Sequence, residues 1–180
     1  MEIRVAKTAG VCFGVNRAVE LTYGLLAEGH RVATLGPLIH NLQAVEDMQR
    51  KGAQVVDTVQ DVPAGCEVVI RSHGVPRSVY DELEARGIPY HDATCPFVQK
   101  IQRIAAEAEK EGAVLLVAGD KTHPEVQGIV GHTRGEVFVF SDLEELKAWK
   151  GPSDPQKPIF AVAQTTFCLL YTSPSPRDGL

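Results

Sequence analysis

Two of the four cysteines stand where the chain favours a thiolate over a thiol. Cys95 is followed directly by Pro96, which suits the first position of a helix, so its sulfur is expected at or near the N-cap. Cys12 lies two residues before Gly14, which can open another predicted helix. Backbone N–H groups and the positive dipole end at a helix N-terminus stabilise a thiolate, and thiolates bind soft metal ions. The alternative for each cysteine is burial as a small apolar side chain, and spacing alone leaves both open.

Three histidines, His40, His73 and His123, each follow a predicted strand. Beside helix N-termini they could donate hydrogen bonds to an anionic group such as a phosphate, although any one alone reads equally well as a loop or capping residue. Glu125 begins a helix in THPEVQG, where it is either a proton donor beside His123 or a first-turn carboxylate favoured by the helix dipole. Thr165 is either a strand residue or a hydroxyl donor to a ligand.

Short β-rich apolar runs alternate with helical patterns along the chain. The predicted strands are 2–7, 31–36, 53–56, 67–72, 88–93, 113–119, 136–140 and 158–164, and the predicted helices are 15–27, 41–51, 77–86, 96–111, one starting at Pro124, and 142–149. This alternation predicts an α/β protein with parallel sheets flanked by helices. Ligands bind such sheets at the carboxyl ends of the strands, which is where the candidate residues fall.

The first helix has its apolar positions on one face, but Thr22 interrupts that face. We expect a first α/β domain over residues 1–95 and a second over 96–166, because one series of strands closes near Cys95 and the long helix begins another. Residues 167–180 lose any strand or helix period and become rich in Ser and Pro, so we expect a disordered tail there.

The bulk properties narrow the classes of partner. The chain of 180 residues carries a net charge of −5 and no long basic run, so neither nucleic acid nor a membrane surface is expected as a partner. No apolar stretch is long enough for a membrane span and no signal-peptide pattern is present, which favours a cytoplasmic protein with a small-molecule ligand. The cysteines lack any CxxC pair, so disulfides are not expected, and Cys66 lies at the opposite end of its strand and is assigned to structure.

Six short motifs resemble, in order and spacing, those of the 4-hydroxy-3-methylbut-2-enyl diphosphate reductase family of iron–sulfur enzymes. They are GVCFGVNRAV around Cys12, GPLIHN around His40, RSHGV around His73, DATCPFV around Cys95, THPEVQG around His123 and AQTT around Thr165. Together they span residues 1 to about 166. The resemblance implies a trefoil-like arrangement of three similar α/β domains, of which the first two are represented here and the third is absent.

The resemblance also implies an activity, the reductive dehydroxylation of 4-hydroxy-3-methylbut-2-enyl diphosphate to isopentenyl and dimethylallyl diphosphate. This is the last step of the non-mevalonate isoprenoid pathway, and the electrons come from a donor of the ferredoxin or flavodoxin type. The cofactor it implies is a [4Fe–4S] cluster held by three cysteines.

By that resemblance, individual residues take on expected roles. Cluster ligands are matched by Cys12 and Cys95, diphosphate-binding residues by His40, His73 and His123, the proton source by Glu125, and a hydroxyl close to the substrate by Thr165. The third cluster cysteine lies in the absent domain and is not matched by Cys168. We therefore expect this chain by itself to be an inactive fragment.

Two other functions stay open from the residues alone. Cys12, Cys95, His40 and His123 would make an acceptable zinc ligand set with Glu125 as general acid or base, although they lack a familiar zinc pairing. The chain could also be a non-catalytic phosphate-binding fragment with unmetallated cysteines.

Overall fold

The structure, a computed structural model, describes residues 10–39 and 41–167. The predicted strand at 2–7, His40, Cys168 and nearly all of the predicted tail lie outside the described residues. The strands are β1 Val32–Leu35, β2 Gln54–Val56, β3 Glu67–Ile70, β4 Tyr90–Asp92, β5 Val114–Ala118, β6 Val137–Phe140 and β7 Ile159–Ala163. The helices are α1 Phe13–Ala27, α2 Leu42–Arg50, α3 Arg77–Ala85, α4 Pro96–Lys110, α5 Pro124–Val130 and α6 Leu143–Ala148. The elements predicted within the described residues are all present, close to their expected bounds.

The described chain forms two compact units, each built around its own parallel sheet. The first unit comprises the described residues up to Gly74 together with Val79–Pro96. The second comprises Val75–Ser78 and the described residues from Phe97 onward. All strand pairs are parallel, which confirms the predicted α/β class. Among the described residues no helix is long and apolar enough to cross a bilayer.

The first unit has a four-stranded sheet in the order β2-β1-β3-β4. The central strands β1 and β3 are fully buried along their apolar positions, because helices cover the sheet and parallel strands need both faces shielded. Helix α1 packs against this sheet through Ala18 and Leu25, which join a core cluster with Val32 and Val69. Since the strands are parallel, the segments that follow β1, β3 and β4 leave the sheet at the same edge.

Thr22 does not interrupt the buried face of α1, contrary to the expectation from sequence. It is fully buried, and its hydroxyl donates to the backbone carbonyl of Ala18 at 2.9 Å. The hydroxyl is therefore satisfied within the helix, and the remaining methyl group packs as part of the apolar face. A buried threonine of this kind cannot be distinguished from a surface one by hydropathy alone.

Two histidines without a predicted role, His30 and His91, both contact the carboxylate of Glu67. His30 Nδ1 lies 2.7 Å from Oε1, and His91 Nε2 lies 2.6 Å from Oε2. The hydrogen bonds from His91 and then His30 lower the pKa of Glu67, and the bond to Glu67 raises the pKa of His30. Glu67 begins β3, so this network lies toward the end of the sheet opposite to the candidate residues and acts in structure.

The second unit has a three-stranded sheet in the order β6-β5-β7. Its central strand β5 is packed against α4 and α5, and Leu115 and Val117 are fully buried with Ile129 in the same cluster. Trp149 is the single tryptophan of the chain and stacks on Phe138 of β6 with ring centroids 5.3 Å apart. Its fluorescence therefore reports on the folding of this unit.

We predict that Leu115→Ala destabilises the second unit by about 2–5 kcal/mol, because a fully buried leucine leaves a cavity on truncation. Urea unfolding followed by Trp149 fluorescence measures the effect. Leu143→Ala is the matched control, since Leu143 is 61% exposed on α6 and its truncation should leave the midpoint nearly unchanged. Equal midpoints for the two variants would contradict this description of the core.

Candidate functional site

Cys95 is held at the carboxyl edge of the first sheet by its own backbone and by the segment before it. The Cys95 amide donates to the carbonyl of Ser72, just beyond β3, at 2.9 Å. Arg17 of α1 donates from Nη1 to the carbonyl of Thr94 at 3.1 Å and from Nη2 to that of Asp92 at 3.3 Å. Helix α1 thus fixes the path of the chain from β4 to Cys95, which is partly exposed and lies directly before α4.

Cys12 occupies the N-cap of α1 and is exposed. Its carbonyl accepts the first helical hydrogen bond, from the Asn16 amide at 2.9 Å, while no side-chain cap is made. The Cys95 sulfur lies over the same helical turn, because a Cβ added at Gly14 would meet Cys95 Sγ at 2.8 Å. The two cysteines selected from the sequence therefore both lie at the N-terminal turn of α1.

The two sulfurs fit part of a metal ligand set. Gly14 makes room for the Cys95 side chain, which lies where a Cβ would be, and both cysteines are free of disulfides. Within residues 10–39 and 41–167, no three His, Cys, Asp or Glu side chains are grouped so that they could hold a metal ion. The described residues thus offer a pair of soft ligands and not a complete site, and His40 of the zinc set considered from sequence lies outside them.

Of the predicted histidines of the first unit, the structure describes only His73. It follows β3 at the same edge as Cys95 and is partly buried. The Gly74 amide donates to the carbonyl of Arg71 at 2.9 Å, and Gly74 has a φ of 71°, so His73 sits within a tight turn. His40 lies outside the described residues. Cys66 is 3% exposed before β3, as its structural assignment predicts.

Glu125 is the best-defined candidate of the second unit. It is only 1% exposed, although first-turn carboxylates commonly face solvent. Its Oε1 accepts from the Thr165 amide at 2.6 Å and its Oε2 accepts from the Thr165 hydroxyl at 2.7 Å. Helix-dipole stabilisation alone does not require this burial or this partner. Two sequence-predicted residues separated by 40 positions are thus brought into direct contact.

His123 is the N-cap of α5, and its Nδ1 accepts from the Glu125 amide at 3.2 Å. His123 therefore caps the helix, which is one of the two roles considered from the sequence, and its role in binding phosphate stays a prediction. Capping also has a chemical consequence, because an acceptor at Nδ1 leaves the proton of the neutral ring on Nε2. The ring is then oriented as a hydrogen-bond donor through Nε2.

Gln164 is a residue that sequence reasoning missed. It is 6% exposed at the end of β7, its Oε1 accepts from the Asp120 amide at 3.1 Å, and its Nε2 donates to the Thr166 hydroxyl at 3.0 Å. The side chain thereby joins the segment after β5 to the turn that carries Thr165. Gly119 makes room for it, since a Cβ there would lie 3.1 Å from Gln164 Oε1. The only signal in the sequence was a polar residue closing an apolar strand.

The family model and the similar proteins that match this chain point to the same family. The family model described as LytB protein matches residues 3–173. A 4-hydroxy-3-methylbut-2-enyl diphosphate reductase of Syntrophotalea carbinolica is 43% identical over 167 residues, covering 92% of this chain and 58% of the relative. The reductase of the same name from Clostridioides difficile is 38% identical over 167 residues, covering 92% of this chain and 59% of the relative.

Two solved structures resemble the chain. One is an (E)-4-hydroxy-3-methyl-but-2-enyl diphosphate reductase, described as the terminal enzyme of the non-mevalonate pathway, with a TM-score of 0.77 and 36% identity over 94% of this chain and 60% of that one. A reductase from Plasmodium falciparum has a TM-score of 0.80 at 24% identity, covers 89% of this chain and 50% of that one, and supports the fold alone. The chain spans about three fifths of the length of these curated relatives. The match of the family model over nearly the whole chain, together with these relatives, shows that the chain belongs to the LytB protein family.

Proposed function

We propose that this chain is part of a 4-hydroxy-3-methylbut-2-enyl diphosphate reductase, which removes the hydroxyl group of its substrate reductively to give isopentenyl and dimethylallyl diphosphate. The observation that carries the proposal is that Cys12 and Cys95 both lie at the first turn of α1, where Gly14 makes room for the Cys95 sulfur. The matching relatives bear this name, and the chain covers 58% of the first of them.

Cys12 and Cys95 are proposed as two thiolate ligands of a [4Fe–4S] cluster. Such a cluster, when bound, would supply electrons for the reduction, delivered by a ferredoxin or flavodoxin type donor. Two ligands do not complete a site, so a third is proposed to come from the portion of the relatives that this chain does not span. The isolated chain is accordingly proposed to be inactive.

Glu125 and Thr165 are proposed to deliver the proton that lets water leave. In its protonated state, Glu125 Oε2 would donate to Thr165 Oγ1 across their 2.7 Å contact, and the Thr165 hydroxyl would donate onward to the departing oxygen. The Thr165 amide, 2.6 Å from Oε1, keeps the carboxyl group in place through the transfer. Burial of Glu125 keeps bulk water from replacing this path.

The histidines are proposed to bind the diphosphate. His123 would donate from Nε2, since its Nδ1 is occupied as an acceptor by the Glu125 amide. His40 and His73 are proposed for the same role on the basis of their position after β1 and β3. Neutral imidazole donors bind phosphate oxygens without requiring a lysine or arginine at each contact.

We predict that Cys12→Ser and Cys95→Ser each prevent cluster assembly, because each removes a thiolate from the pair. The test is anaerobic iron and sulfide reconstitution, read by iron content and charge-transfer absorption, of the chain fused to the remaining C-terminal portion of the Syntrophotalea carbinolica reductase. Cys66→Ser is the control, since Cys66 is buried at the other end of its strand.

The isolated chain should take up little or no stable cluster in the same experiment, whereas the fused chain should take up a full complement. Retention of the wild-type iron content by both Cys12→Ser and Cys95→Ser would remove the basis of the proposal. Uptake of colourless zinc in place of iron, with both thiols required, would favour the zinc enzyme considered from the sequence.

We predict that Glu125→Gln lowers kcat of the fused, reconstituted chain by about 10²–10⁴-fold, because the amide occupies the same place without a transferable proton. KM and the cluster absorption should stay near their wild-type values, since neither depends on that proton. Glu144→Gln is the matched control, because Glu144 is an exposed carboxylate on α6 paired only with Lys147 at 2.8 Å. An unchanged kcat in Glu125→Gln would assign the proton transfer to another group.

A further inference from the structure

Arg71 is a charged residue for which neither the sequence analysis nor the proposed reaction has a use. It directly follows β3, at the same carboxyl edge of the sheet as Cys95. It is partly buried, and its Nε is fully enclosed without a hydrogen-bond partner. Among the described residues, no hydrogen bond or ion pair uses its guanidinium group. A guanidinium with five donors and no acceptor is an unusual occupant of a protein interior.

The guanidinium lies against Gly36, the residue that directly follows β1. A Cβ added at Gly36 would lie 2.8 Å from Arg71 Nη1, so the guanidinium occupies the space that a side chain would need. Gly36 also has a φ of 70°, a conformation that favours glycine, and its amide donates to the Val56 carbonyl at 2.8 Å. The loop that follows β1 is thus shaped around the Arg71 side chain.

Keeping this cation has an energetic cost. Burial lowers the pKa of Arg71, and no acidic side chain acts in the opposite direction. An enclosed N–H group without a partner destabilises a fold, and a polar group kept at such a cost commonly serves a ligand. The chain as a whole carries a net charge of −5, so an anion is attracted only where a local cation is available.

We propose that Arg71, against the Gly36 loop, forms an anion-binding site of the first unit that takes a phosphate-type oxyanion. The planar fork of arginine matches two phosphate oxygens, and the carboxyl edge of a parallel sheet is where phosphate groups bind in this class of fold. The site lies in the RSHG turn that also carries His73. Its assignment to the diphosphate of the substrate rests on the proposed function, whereas anion binding itself does not.

The first test compares Arg71→Met, which keeps the length of the side chain and removes its charge, with the wild-type chain in the absence of ligand. Hydrogen exchange of the β1 and β3 amides reports on the stability of the first unit. We expect Arg71→Met to be at least as well protected as wild type, because it removes an enclosed N–H group that has no partner. Lower protection in Arg71→Met would mean that Arg71 stabilises the fold and would overturn the proposal.

The second test titrates both proteins with pyrophosphate and with inorganic phosphate by calorimetry, at constant ionic strength set with KCl. Wild type should bind pyrophosphate saturably. Arg71→Met should bind it with an affinity that is lower by at least about tenfold, since a charge-assisted bidentate contact is lost. Arg71→Lys should fall between them, because it keeps the charge and loses the fork. Arg50→Met is the control, an exposed arginine of the same unit paired with Asp47 at 3.1 Å, and it should bind as wild type does.

Equal pyrophosphate affinity in wild type and Arg71→Met would overturn the anion site. The outcome is separable from the fate of the proposed reductase function. Arg71-dependent pyrophosphate binding together with failed cluster assembly in the fused chain would leave the anion site standing and remove the reductase. Cluster assembly and turnover of the fused chain without Arg71-dependent pyrophosphate binding would support the reductase function and remove the anion site.

Discussion

The candidate site of the first unit depends on the close approach of the segment 92–95 to the first turn of α1. Arg17 holds that segment by the carbonyls of Asp92 and Thr94, and the Cys95 amide is bound to Ser72. The approach is possible because Gly14 carries no side chain where the Cys95 sulfur lies. This contact brings together helix α1, the segment after β4 and the Cys95 side chain.

In the second unit, the segments that follow the strands are also joined by side-chain contacts, but the residues are different. A glycine, Gly119, again leaves room at the end of a central strand, here for the Gln164 side chain. Gln164 joins the segment after β5 to the turn after β7, and within that turn Thr165 meets the buried carboxylate of Glu125. Arg17 of α1 makes the connection in the first unit and Gln164 makes it in the second, so the candidate residues are positioned by these contacts and not by the loops alone.

Much of this arrangement could be predicted from the sequence. The alternation of apolar runs predicted the parallel sheets. Pro96 after Cys95 and Gly14 after Cys12 predicted the starts of two helices, because these signals are local in the chain. The pairing of Glu125 with Thr165 could not be derived from spacing, since it depends on how α5 packs against the end of β7. The same holds for Thr22, whose burial depends on a hydroxyl bond to Ala18, and for Arg71, whose isolation depends on what surrounds it.

Cys12 and Cys95 are proposed to act together at one helix N-terminus, and the most direct measurement fills the place that the Cys95 sulfur occupies beside Gly14. A methyl group at Gly14 would collide with the Cys95 sulfur, whereas one at Gly24 of the same helix would meet nothing within 4 Å. Iron content per chain after anaerobic reconstitution of the fused protein compares Gly14→Ala with Gly24→Ala. The account predicts loss of iron in Gly14→Ala and wild-type iron in Gly24→Ala, with helical circular dichroism retained in both. Equal iron in the two variants would contradict it.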